Sequence, residues 1–171
     1  MAIQSMKTMS EEEKMVRSKD EIVEKIRDIS VNGDIFGFER SVLFDYLTFD
    51  EAKEFISSGK RAAAEEEWGN VKPLSESEII NEAKDYMEFA WGKVANHRGL
   101  SASRSVDKMR AYCWLLGVQD QVNWDNYSQY GAPVLYSVCR VLGFPHPDSP
   151  EIMNMVNGRR CIPDCEMGCG R

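Results

Sequence analysis

The sequence predicts an all-α fold: a single-domain bundle of about six to eight helices around a long antiparallel helical hairpin, at about residues 76–116. Three observations lead there. Ser18/Glu21, Thr48/Glu51 and Ser75/Glu78 each repeat the capping-box pattern that opens helices. Ile79, Ala83, Met87, Ala90 and Val94 recur at spacings of 4, 4, 3 and 4, which follow one helical face. No run alternates with period two, and no strand–turn–strand pair carries the residues of a tight hairpin turn.

Taken in order, residues 1–17 are a polar, Met-rich lead-in of the kind that frays, residues 18–158 form the helical domain, and residues 159–171 are a Cys-rich tail. Behind Ser18, the residues Ile22, Val23, Ile26 and Ile29 share a face, so a helix runs to about Ser30 and breaks at Asn32-Gly33. A short helix is expected over about Phe38–Tyr46, with a strand over part of it as the alternative. Thr48 opens a third helix that stops at Ser58-Gly59. Residues 60–72 begin with helix-favouring Ala62–Glu67 but have few apolar anchors, and Trp68 is expected to dock the end. The longest helix, about Glu76 to Ala95, carries the stripe described above, widened by Ile80, Trp91 and Phe89. After the turn HRGLSASRS, capped by Ser101 or Ser103, Ala102, Val106, Met109, Cys113 and Leu116 form a second stripe that ends at Gly117. Residues 118–132 are expected to form a short helix or a loop pinned by its aromatics. Ala132-Pro133 opens a helix closed by Gly143, and Ser149-Pro150-Glu151 opens another that ends at Gly158.

Composition narrows the function classes. A chain of 171 residues with 43% hydrophobic and 29% charged residues has an ordinary globular balance, and it needs neither disulfides nor metal to build a core. No apolar run approaches bilayer length, and the N-terminus has no apolar signal core, which points to a cytoplasmic protein without membrane partners. Five cysteines cannot all pair within one chain, in keeping with reduced thiols. The net charge of −7 disfavours nucleic acid, whose binding needs a broad phosphate-neutralising surface. Against this acidic background, residues 96–119 hold Arg98, Arg104, Lys108 and Arg110 opposed by Asp107 alone.

That basic island makes the turn the first candidate site. His97, Arg98, Ser101, Ser103, Arg104 and Lys108 combine guanidinium forks, hydroxyls and free helix N–H groups, a set suited to a phosphate, a carboxylate or an acidic partner. The plainer reading is a well-capped corner, with serines closing the helix and arginines paired to Asp85, Glu88 or Asp107. His97 can serve as a general base, although a histidine at a helix C-terminus more often favours the helix dipole. His146, between two prolines, reads as exposed connector. Cys113 and Cys139 fall on apolar faces as small core residues. Cys161, Cys165 and Cys169 are spaced C-x3-C-x3-C, and three such thiolates can hold zinc or part of an iron–sulfur cluster. The spacing is not that of a usual knuckle and no fourth ligand is evident, so no cofactor is expected unless that tail takes zinc. Glu11–Glu13 and Glu65–Glu67 read as solvated faces, and no catalytic residue carries a local signature.

The run from Tyr86 to Gly117 resembles a segment of small uncharacterised proteins of bacteria and their phages. Phe89-Ala90-Trp91, Arg98 to Ser105 and Trp114 to Gly117 carry the resemblance, which extends upstream to DIFGFE and PLSESEI and excludes the Cys tail. It implies a prokaryotic or mobile-element origin and brings no activity, ligand or catalytic residue. Two functional readings follow. One is a non-enzymatic protein that binds a protein partner, for instance a phage-type inhibitor of a host protein or nucleic-acid-processing complex. The other is a small ligand-binding domain or enzyme with an anion site at the HRGLSASRS turn.

Overall fold

A computed structural model describes residues 16–33, 37–96, 99–126 and 128–159, with the backbone alone for 99–103. Every regular element among them is helical, as the sequence predicts. Eight α-helices occur among the described residues. They are α1 (Lys19–Asn32), α2 (Phe38–Phe44), α3 (Phe49–Ala52), α4 (Arg61–Glu67), α5 (Glu76–Ala95), α6 (Gly99–Leu115), α7 (Ala132–Leu142) and α8 (Pro150–Val156). Backbone contacts divide the chain into two compact units, Met1–Ile79 and Ile80–Arg171, so the division falls inside α5.

The first unit is made mostly of short helices, and side chains cap the N-termini of α1 and α3 and the start of α5. Ser18 and Thr48 each close a full capping box with Glu21 and Glu51, and the Ser75 hydroxyl accepts the Glu78 N–H at 3.4 Å. Ile22, Ile26 and Ile29 on α1 are buried, and α1 packs on α2, whose Val42 and Leu43 are buried too. The helix opened by Thr48 tightens after Ala52 into a 3-10 turn over Lys53–Phe55, and α4 buries no residue at all.

Beyond the last residue of α2 come three carbonyls in a row that no helix satisfies. Each meets a donor from a different segment. The Asp45 carbonyl accepts the Lys72 N–H at 2.8 Å, the Tyr46 carbonyl accepts the Lys19 ammonium, and the Leu47 carbonyl accepts the Trp68 indole N–H at 3.1 Å. Tyr46 is 1% exposed and Leu47 0%, so water cannot readily replace these donors. Trp68 thus docks the end of α4 as expected, with its ring edge-on to Phe44 at 6.3 Å and to Phe49 at 5.7 Å.

In the second unit the two predicted stripes are the core. Ala83, Met87, Ala90 and Val94 of α5 are buried, as are Val106, Met109 and Cys113 of α6. Tyr86 of α5 faces Lys108 and Tyr112 of α6, a pairing that runs α6 back along α5. One expected core residue is not there: Phe89 is 51% exposed. At 100° per residue it lies about 120° from the centre of the α5 stripe, too far round to widen it. The turn also differs. Helix α6 begins at Gly99, so Ser101 and Ser103 lie within it and do not cap it. Leu116 falls beyond the last turn, and Leu115 is buried in its place.

Between α6 and α7 the chain is irregular, pinned by aromatics as expected. The Trp124 indole N–H donates to the Gln119 carbonyl at 2.9 Å, and Arg110 lies over the Trp124 ring. A 3-10 turn, Gln129–Gly131, then packs on α6 and α7. It holds Gln129 and Tyr130 at φ of 53° and 60°, a left-handed conformation that strains residues bearing a Cβ. Helix α7 buries Val134, Leu135 and Val138 against α6 and α8, and Gly143 at φ 72° ends it.

Two stability predictions follow. Trp68→Phe keeps an aromatic ring but leaves the Leu47 carbonyl without its donor, and should destabilise the first unit by about 1–3 kcal/mol in urea unfolding. Glu51 should also make stability sensitive to acid. Partial burial works against its charge, but the Thr48 N–H and hydroxyl and the Lys19 ammonium hold its carboxyl below the ordinary 4.5. Its contribution is therefore full above 4.5 and is lost as the pH falls through the lowered folded-state value. Glu51→Gln should flatten that part of a stability–pH profile.

Candidate functional site

Of the predicted turn residues, the structure describes the side chains of Arg104 and Lys108. Helix α5 ends at Ala95, where the Asn96 side-chain amide donates to the Gly92 carbonyl at 2.9 Å, and α6 starts at Gly99. His97 and Arg98 lie outside the described residues, and so do the side chains of Ser101 and Ser103. Arg104 is exposed, and Lys108, four residues on, shares its face of α6.

Lys108 belongs to a cluster that the sequence did not single out. Its ammonium sits 5.2 Å from the Tyr86 ring centre. The Tyr86 ring lies 5.7 Å from Phe89 and 6.3 Å from Tyr112, and Lys93 places its ammonium 4.8 Å from the Phe89 ring. Tyr86, Phe89 and Lys93 come to one flank of α5 because they stand three and four residues apart. The outcome is a partly open aromatic face bordered by cations, with Phe89 the most exposed aromatic ring on it. The Tyr86 hydroxyl is buried without a hydrogen-bond partner of good geometry. Burial raises its pKa, and the adjacent Ser105 hydroxyl and Arg104 guanidinium only partly oppose that, so it stays a phenol.

The first unit carries a groove of about 450 Å³ between α2 and the segment that leaves α4. Phe44, Trp68 and Val71 give it apolar walls, and Ser41, Asp45, Glu67 and Asn70 are its polar lining. Asp45 holds Lys72 at 3.3 Å, whereas no described cation pairs with Glu67. Residues 65–67 read in sequence as a solvated run, and all three are exposed; what that reading left out is that Glu67 borders a groove with Trp68. The only sequence signal was the pairing of Trp68 with the chain-reversing Gly69-Asn70.

The other candidates are quickly placed. Cys161, Cys165 and Cys169 lie outside the described residues, and among those described no three His, Cys, Asp or Glu gather as a metal site. His146 is not simply exposed connector: its ring stands edge-on to Tyr136 at 4.6 Å and is half-buried. Cys113 and Cys139 are buried core thiols. Among the described residues no helix is long and apolar enough to cross a membrane. Comparison with protein-family models, with curated proteins and with solved structures found no match to the chain.

Burial pushes the Cys113 thiol up to about 12 and raises that of Cys139, so both should stay unreactive. In a chain carrying Cys161→Ser, Cys165→Ser and Cys169→Ser, a chromogenic disulfide reagent at pH 8 should find no thiol in the native state. In denaturant it should find both.

Proposed function

We propose that the chain is a non-enzymatic interaction protein, and that the cation-bordered aromatic face of α5 and α6 engages an acidic surface on a protein partner. Phe89 carries this reading. A large ring left 51% exposed, braced by Tyr86 and flanked by Lys93, has the character of an interface anchor. Lys108 and Arg104 add positive charge on the neighbouring helix, in a chain whose net charge is −7. Such a face attracts carboxylates in an orientation-dependent way while the acidic remainder repels other partners. The resemblance of this segment to small proteins of bacteria and phages supports a prokaryotic or mobile-element setting. An inhibitor acting on a host protein or a nucleic-acid-processing complex is the concrete version.

The Tyr86 hydroxyl favours a second reading. Buried, unpartnered and beside Arg104, it could donate to a small anion held at the same face. The two readings separate by experiment. On the first, the partner retained by the wild-type chain should lose about 2 kcal/mol of affinity with Phe89→Ala, and more with Phe89→Ala/Lys108→Glu, while circular dichroism is unchanged. Undiminished retention by the double variant rules the face out. On the second, calorimetric titration with inorganic phosphate should give a saturable heat that Arg104→Ala removes. A flat titration leaves only the first reading.

A further inference from the structure

We propose that the groove of the first unit is a seat for an arginine side chain presented by a partner protein. This goes beyond the α5–α6 face, and it rests on different residues.

The groove is preformed. The Trp68 indole is fixed by its bond to the Leu47 carbonyl at 3.1 Å, and the edge contacts with Phe44 and Phe49 stop the ring from turning. No side-chain rearrangement is needed to open it, which removes an ordering penalty from binding. Its volume, about 450 Å³, falls within the roughly 300–1,000 Å³ typical of ligand sites. It is also left uncovered: Trp68 and Phe44 are half-buried and Val71 is exposed, so apolar wall faces solvent.

Charge decides what fits. Lys72 is the nearest cation along the chain, and it is held by Asp45 through both its ammonium and its backbone N–H. Glu67 has no described cationic partner and ends a run of three glutamates at the C-terminal, partially negative end of α4. An aromatic wall beside an uncompensated carboxylate suits a planar cation that can stack and fork at once, which describes guanidinium better than ammonium. The molecule already makes both contacts elsewhere. Arg27 forks onto Glu54, donating from Nη2 to Oε1 at 2.8 Å and from Nε to Oε2 at 3.2 Å, and Arg110 lies 5.2 Å from the Trp124 ring centre. Asn70, on the rim, adds an amide that can bond the backbone of an incoming segment.

The probe is a capped Gly-Arg-Gly peptide, with Gly-Lys-Gly as its counterpart. The readout is the indole N–H signal of Trp68 in a nitrogen–proton correlation spectrum, assigned by its loss in Trp68→Phe. At roughly millimolar peptide, the range of a single-side-chain contact, the arginine peptide should shift that signal saturably. Glu67→Gln should weaken binding about fivefold, the loss of one charge-assisted contact. Gly69→Phe should abolish it by filling the groove. Gly69 lines the groove, lacks a positive φ, and a Cβ there meets nothing within 4 Å, so this variant should fold, as circular dichroism would verify. Three outcomes overturn the proposal: a Trp68 signal that does not move, a shift that survives both substitutions, or equal binding of the lysine peptide.

Discussion

Helices this short leave more backbone groups unsatisfied than satisfied, and meeting those groups is the constraint on which the first unit depends. A helix strands its first four N–H groups and its last four carbonyls, so one of seven residues is nearly all ends. At the close of α2 the demand is concentrated in three successive carbonyls, those of Asp45 and of the buried Tyr46 and Leu47, whose donors lie more than 20 residues away in sequence. Lys19 ties in the start of α1, Trp68 the end of α4, and Lys72 the strand-like run before α5. The groove lies within this arrangement: Trp68, which serves the Leu47 carbonyl, lines it together with Phe44.

The second unit solves a different problem. Its longest helices, α5 and α6, satisfy most of their backbone groups internally and bury apolar stripes, whereas α8, of seven residues, still needs its Ser149 cap. What does not fit the stripes is pushed to the flank, which is where Tyr86, Phe89 and Lys93 collect. The left-handed pair Gln129 and Tyr130 is tolerated because the turn is packed on both α6 and α7. The Gln129 side-chain oxygen nevertheless remains buried without a partner.

Much of the helical layout was legible in the sequence, because it is written in local signals. The capping residues Ser18, Thr48 and Ser149 all act where the pattern puts them, and the Ile79–Val94 stripe is buried throughout. Failures arose where one residue fits two local patterns. Phe89 is apolar and adjacent to the stripe, and only its angular position excludes it. Ser101 and Ser103 look like caps, but α6 already begins at Gly99, so both lie inside it. The groove was illegible for a further reason. It depends on a contact between Trp68 and Leu47 across 21 residues, and no periodicity or spacing encodes such a contact.

The position of Trp68 has an optical consequence. Of the four tryptophans it alone falls in Met1–Ile79, while Trp91, Trp114 and Trp124 fall in Ile80–Arg171. An indole hydrogen-bonded to a carbonyl in an aromatic nest emits differently from one in water. Difference spectra between the wild type and Trp68→Phe under native conditions would therefore isolate the emission of the first unit's indole without attaching a dye.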